Sequence, residues 1–156
     1  MRSIVTLAGV VLWLISHASE VASASEPSPQ KTAPMNPATR LVTEVFQAFN
    51  RHDLPALVSH YSADARLTSS DWCHALHGRD ELARKHGELF AASPDVHDEL
   101  IDVVAAADIV AVRFVSRGHI AGHPFELEIA DFFRLRGGLI VEDDTIFDNG
   151  GRACES

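Results

Sequence analysis

Beyond residue 15 the 156-residue chain has no uncharged apolar run long enough for a membrane helix, and it has no internal repeat. Positive charge is scarce: Lys and Arg total 13 against 22 Asp and Glu, a formal net charge of −9. That balance argues against a nucleic-acid or anionic-membrane surface, because both require a basic face. Cysteine is scarce too, with two, Cys73 and Cys154. None follows the opening apolar run, which argues against a lipoprotein anchor.

What is present at the start is a basic residue, Arg2, an apolar run from Ile4 to Ile15, and a small-residue segment containing Ala22-Ser23-Ala24. A run too short to span a bilayer, followed by an A-x-A site, predicts a secretory signal peptide over 1–24. Ser16-His17-Ala18 offers an earlier cleavage site, and an uncleaved helical anchor is the competing reading. The expected location is secreted or periplasmic, with no stable membrane insertion once the signal is removed. Residues 25–35 are rich in Pro and small polar residues, as a flexible linker is. The remainder, 36–150 plus a short 151–156 tail, has the size of one domain. In an oxidising compartment Cys73 and Cys154 are a candidate disulfide; two unrelated thiols are the alternative. Closing so long a loop would contribute about 4 kcal/mol in the chain-entropy account.

Asn36-Pro37 is a helix start, and Leu41, Val45 and Phe49, with Val42 and Phe46, form one apolar stripe after it. Asp53 caps a short second helix carrying Leu54, Leu57, Val58 and Tyr61. A short strand over 65–68, an irregular loop over 69–78 and a third helix from Gly78 to Ser93 follow. Val96–Val104 and Ile109–Arg117 read as strands, separated from a last hairpin by a turn over 118–124. That hairpin is the most informative stretch: 126–135, a Gly137-Gly138 turn, and 139–148. Alternation puts Leu127, Ile129, Asp131, Phe133 and Leu135 on one face, and Leu139, Val141, Asp143, Thr145 and Phe147 on one face of the partner strand. Each apolar face therefore carries one carboxylate. Helices first and a long antiparallel meander after make an α+β domain, helices on one face of the sheet.

Phe46-x-x-x-Asn50-x-x-Asp53-x-x-x-Leu57-x-x-x-Tyr61-x-x-Asp64-Ala65 resembles the two-helix opening of the nuclear transport factor 2-like superfamily. His77-Gly78-Arg79-Asp80, Val110–Phe114, Arg117-Gly118-His119 and Asp131-Phe132-Phe133-Arg134 through Glu142 are similar to SnoaL-like polyketide cyclases. The resemblance spans about residues 38–148. It implies a cone: a curved antiparallel sheet wrapped around three N-terminal helices, with an apolar pocket at the open end. It also implies that the last strand lies beside the early strands, bringing Cys73 near Cys154.

The family's chemical groups carry over only in part. Of the ketosteroid isomerase set, only the late-strand aspartate has a counterpart, Asp131; Val45 and Ser69 stand where the tyrosine and the base belong. Thr145 stands at the acidic position that ends the last strand of SnoaL-like cyclases. Ile129 replaces the arginine that limonene epoxide hydrolases keep before their strand aspartate.

The residues themselves support acid/base catalysis by Asp131 with Asp143, two carboxyls whose burial and like charge disfavour double ionisation. His119 is a candidate third proton carrier. The pocket wall is expected from Phe46, Phe49, Tyr61, Phe90, Phe114, Ile129, Phe133, Thr145 and Phe147. The same wall suits a non-catalytic binding module for a small hydrophobic molecule. A metal site from Asp71, Cys73, His74 and His77, or His119 and His123, fits no standard spacing, and neither metal nor dissociable cofactor is expected. His52, His60, His86 and His97 read as solvated. The outer-face acids Glu126, Glu128, Glu142 and Asp144 are solvated or face a second subunit of a homodimer.

Overall fold

The structure is a computed structural model and describes residues 35–151 and Cys154. The expected signal peptide and all of the linker but Met35 lie outside the described residues. Helix α1 runs Pro37–Asn50, and the Asn36 side chain caps it by accepting from the Ala38 N–H at 2.9 Å. Helix α2 runs Leu54–Ser59, capped by Asp53 accepting from Ala56 N at 3.1 Å. Strand β1 (Tyr61–Ser69) and the two-residue β2 (Leu76–His77) precede α3 (Gly78–Ala92). Tyr61 thus opens a strand, where the sequence reading had ended a helix. Four long strands complete the chain: β3 (His97–Ala106), β4 (Ile109–Ile120), β5 (His123–Arg136) and β6 (Leu139–Ile146).

These strands form a curved, open six-stranded sheet in the order β2-β1-β6-β5-β4-β3. The last strand lies beside β1, as the resemblance implied, and runs parallel to it; the other neighbouring pairs are antiparallel. Hairpin turns are tight. The β4–β5 connection is only Ala121-Gly122, with Ile120 paired to His123, so the strands run further than the expected 118–124 turn. Gly137 and Gly138 both have positive φ (60° and 79°), which a two-residue hairpin turn of the I′ kind demands and glycine supplies without strain.

One sequence expectation fails in β6. Arg134 pairs with Glu142 but Leu135 with Ile140, which leaves Val141 as an extra residue, a β-bulge. The bulge switches the strand's parity, so Ile140 is fully buried while Leu139 and Val141 are only half-buried. Strict alternation holds from Asp143 onward, which is why both aspartates still face inward.

The inner face of the sheet closes on the stripe of α1. Phe46 packs edge-on against Phe114 (ring centroids 4.9 Å) and Phe133 (6.4 Å). Leu57 from α2 and Leu82 from α3 are buried in the same core. On the outer face, Arg117 bridges Glu99 and Glu126, Arg113 bridges Asp102 and Glu128, and Arg134 pairs with Glu142. Arginines thus pair with most of the acids that sequence alone read as solvated or facing a second subunit. Cys73 and Cys154 form a disulfide, tying the loop after β1 to the C-terminal tail. No helix among the described residues is long and apolar enough to cross a membrane.

Candidate functional site

Between the sheet and the helices lies a cavity of about 780 Å³. It is lined by Phe46 and Phe49 from α1, Phe114 from β4, Ile129 and Phe133 from β5, and Thr145 and Phe147 at the end of the last strand. Its inner end is polar. Asp131 pairs across the ladder with Thr145, and Phe133 with Asp143, so the two acids sit diagonally on one face of β5–β6. Both are about 6 % exposed and both line the cavity.

Tyr61 completes the cluster. Its hydroxyl donates to Asp143 Oδ2 at 2.6 Å. The Thr145 hydroxyl donates to Asp131 Oδ2 at 3.3 Å. The second oxygen of each carboxyl, Oδ1, has no donor from any other described group. The two carboxyls therefore satisfy one another only when one carries a proton. Burial, then the charge of Asp143, pushes the Asp131 pKa well above the ordinary carboxylate range. Burial raises Asp143 too, but hydrogen bonds from Asp131 and Tyr61 oppose the rise. Burial and the neighbouring acids hold the Tyr61 hydroxyl neutral well beyond its usual value. These directions, with the Tyr61 bond to Asp143, favour the proton on Asp131 and the charge on Asp143.

Two residues expected at the site lie elsewhere. His119 belongs to the outward parity of β4, with Arg113 and Arg117, and is exposed. Its backbone N–H and Nδ1 engage the Asp95 carboxylate, at 3.0 and 2.7 Å. That contact holds Asp95 below its ordinary value, and the structure does not bring His119 to the acid pair. Phe90 is not in the cavity wall. It stacks on His52 (4.3 Å, 14° between planes) and meets Phe49 edge-on, while its neighbour Leu89 turns inward.

Other residues enter that the sequence reading passed over. His86, expected on the surface, lines the cavity; its Nδ1 lies 3.1 Å from the Leu82 carbonyl, and burial lowers its pKa. Asp98 also lines the cavity. It lies between Val96 and Leu100 at period two, the same signal that singles out Asp131. Asp71 and Trp72, on the loop held by the disulfide, form part of the rim. Cys73 is consumed in that bond and cannot be a metal ligand. Among the described residues no three His, Cys, Asp or Glu side chains converge as a metal site needs.

Comparison with known proteins fits this geometry. The chain is 29% identical to IdmH, a proposed polyketide cyclase from Streptomyces antibioticus, covering 72% of this chain and 93% of that one with a TM-score of 0.64. A Catenulispora acidiphila protein with a ketosteroid isomerase-like fold, crystallised with trimethylamine, is 25% identical over 70% of this chain and 85% of that one, with a TM-score of 0.66. An M. tuberculosis epoxide hydrolase of the limonene type shares the fold at 14% identity (72% and 83% covered, TM-score 0.65). Among curated proteins no significant match is found. The SnoaL-like domain profile matches residues 42–143, most of the described chain. With its helices, its curved sheet and its acid-floored cavity, this chain belongs to the SnoaL-like domain family.

Proposed function

We propose that this protein is an acid/base catalyst of proton transfer on a small hydrophobic carbonyl compound, in an isomerisation, cyclisation or hydrolysis. The observation that carries the reading is the Tyr61–Asp143–Asp131 cluster at the end of a largely apolar cavity. Asp143 removes a proton from the carbon beside the carbonyl while Asp131 delivers its own to the carbonyl oxygen. The C–H electron pair becomes the new C=C bond, and the C=O π pair moves onto oxygen. The proton count of the pair is conserved, and a reverse transfer to another carbon, or attack of the enol carbon on a second carbonyl, completes an isomerisation or a cyclisation. Exclusion of water by the aromatic wall makes each charge interaction stronger than it would be in solvent.

The protein acts outside the cytoplasm, in the secreted or periplasmic space; the leader-like N-terminus and the Cys73–Cys154 disulfide support this. It works as a homodimer, a reading supported by the exposed apolar residues Phe132 and Ile146 on the outer face of the sheet.

The test is hydrogen exchange on 2-tetralone in deuterated buffer, followed by NMR. Exchange faster than the buffer rate, lost in Asp143→Asn, is the expected result. Naphthalene binding without any exchange would overturn catalysis and leave a ligand-binding module.

A further inference from the structure

The cavity has a second polar end that the acid pair does not account for. Asp98 is 8 % exposed, lines the cavity, and its Oδ1 has no hydrogen-bond partner. A buried carboxyl oxygen left without a donor is costly, so its retention calls for a physical reason. Its backbone is held firmly. Asn50, at the end of α1, donates to the Asp98 carbonyl at 2.8 Å and accepts from its N–H at 2.8 Å. Ser116 stands directly opposite on β4, in register with Asp98. The backbone beneath the side chain is therefore fixed, the residue lies in the cavity wall, and Oδ1 is left without a donor.

Position separates this acid from the first two. Asp98 pairs with Ser116, and Asp131 with Val112, on the same strand. Four residues of strand are about 13 Å. Between them the lining is apolar, with Phe114, Ile129 and Phe46. The lining is therefore polar at each end and apolar in the middle.

Building on the acid/base reading above, we infer that the Asp98–Ser116 end is a recognition site for a hydrogen-bond-donating head group, an O–H or N–H, on the far end of an elongated apolar substrate whose reactive carbonyl lies at Asp131 and Asp143. The substrate class is thus bifunctional, with about 13 Å of strand between its two polar ends. A donor at the Asp98 carboxyl supplies the missing partner and fixes which end of the molecule meets the acid pair.

Calorimetric titration of the purified protein with naphthalene, 2-naphthol and 2-naphthylmethylamine tests this. The expected result is tighter binding of the two donor-bearing probes, about ten-fold over naphthalene. Asp98→Ala removes that preference, and naphthalene binding that is retained reports that the variant is folded. Asp98→Asn separates the head groups: a preference for 2-naphthol that survives marks a hydroxyl site, and loss of the amine preference alone marks the need for charge. In the wild-type protein, carbon-13 carboxyl NMR provides a readout free of substitution: the amine should shift Asp98 and leave Asp131 and Asp143 in place. If the preference persists in Asp98→Ala, or the shifts appear at Asp131 and Asp143 instead, the second site is refuted while the acid/base reading stands. If naphthalene itself fails to bind, both fall.

Discussion

The Tyr61 hydroxyl reaches Asp143 across 82 positions of sequence, donating to Oδ2 at 2.6 Å with both side chains buried. This contact exists because β1 and β6 lie side by side in parallel, with Tyr61 in register with Ile140 and Leu67 with Asp143. In the proposed reaction it favours Asp143 as the base, since a hydrogen bond to the charged form favours that form.

Tyr61→Phe should therefore leave less of Asp143 in its charged form without removing it. The Asp143 pKa rises, the charged fraction at neutral pH falls, and 2-tetralone exchange drops by about 10–100-fold with its pH profile displaced upward. Because the phenyl ring still fills the space, the stability cost is that of one buried hydrogen bond, about 1–3 kcal/mol. Denaturant unfolding and a pH–rate profile measure the two effects separately.

Asp131→Asn and Asp143→Asn should not be equivalent. An amide at 131 still donates a hydrogen bond but cannot release a proton, and it ends the repulsion within the pair. An amide at 143 removes the base altogether. The loss of exchange should be larger for Asp143→Asn, about 10²–10⁴-fold against the wild type. Asp131→Asn should be no less stable than the wild type above neutral pH. Equal losses in both would contradict the division of roles.

Stability should decline as pH rises from about 4 to about 7. Burial raises the Asp98 pKa from the ordinary carboxylate value to about 7. In that window the folded chain holds a proton that the unfolded chain has released, so folding is favoured at the acid end and the advantage is gone above about 7. Asp131 and Asp143 are raised and act in the same direction. Asp95 is lowered and acts oppositely, its contribution being lost only at more acid pH. Asp98→Asn should flatten the slope between pH 4 and 7, seen as a smaller change in urea midpoint; an unchanged slope would contradict the buried, protonated Asp98.

Reduction of the Cys73–Cys154 bond should destabilise the domain. The bond closes a loop with a sequence separation of 81 and so restrains the unfolded chain by about 4 kcal/mol. It also anchors the loop carrying Trp72 at the cavity rim, with Lys85 5.8 Å from the indole centroid. A lower melting temperature should be accompanied by a shift in Trp72 fluorescence and weaker naphthalene binding.

Much of the fold was legible locally. Asn36 and Asp53 announced the helix starts because capping is a contact between residues two or three apart. Gly137-Gly138 announced the hairpin because the turn's own backbone demands those residues. The inward placement of Asp131 followed from alternation along one strand. Asp143 was placed inward by the same rule, although Val141 breaks it two residues earlier, and a bulge is a relation between strands that one strand cannot reveal.

The rest depended on distance in sequence. His119 was drawn into the site because it precedes the hairpin, yet the tighter turn and the outward parity of β4 give it to Asp95. Phe90 and His86 exchanged their expected places because α3 has a weak apolar stripe, and its packing against β1 and α2 determines which side turns inward.

From its own residues the chain determined an α+β domain with two inward acids, because capping, turn chemistry and alternation act over a few neighbouring positions. Tertiary structure alone decided that Tyr61 meets Asp143, that Asp98 faces the same cavity from its other end, and that Cys73 meets Cys154. Those contacts are set by strand order and register, which arise only when distant segments share one sheet and one core.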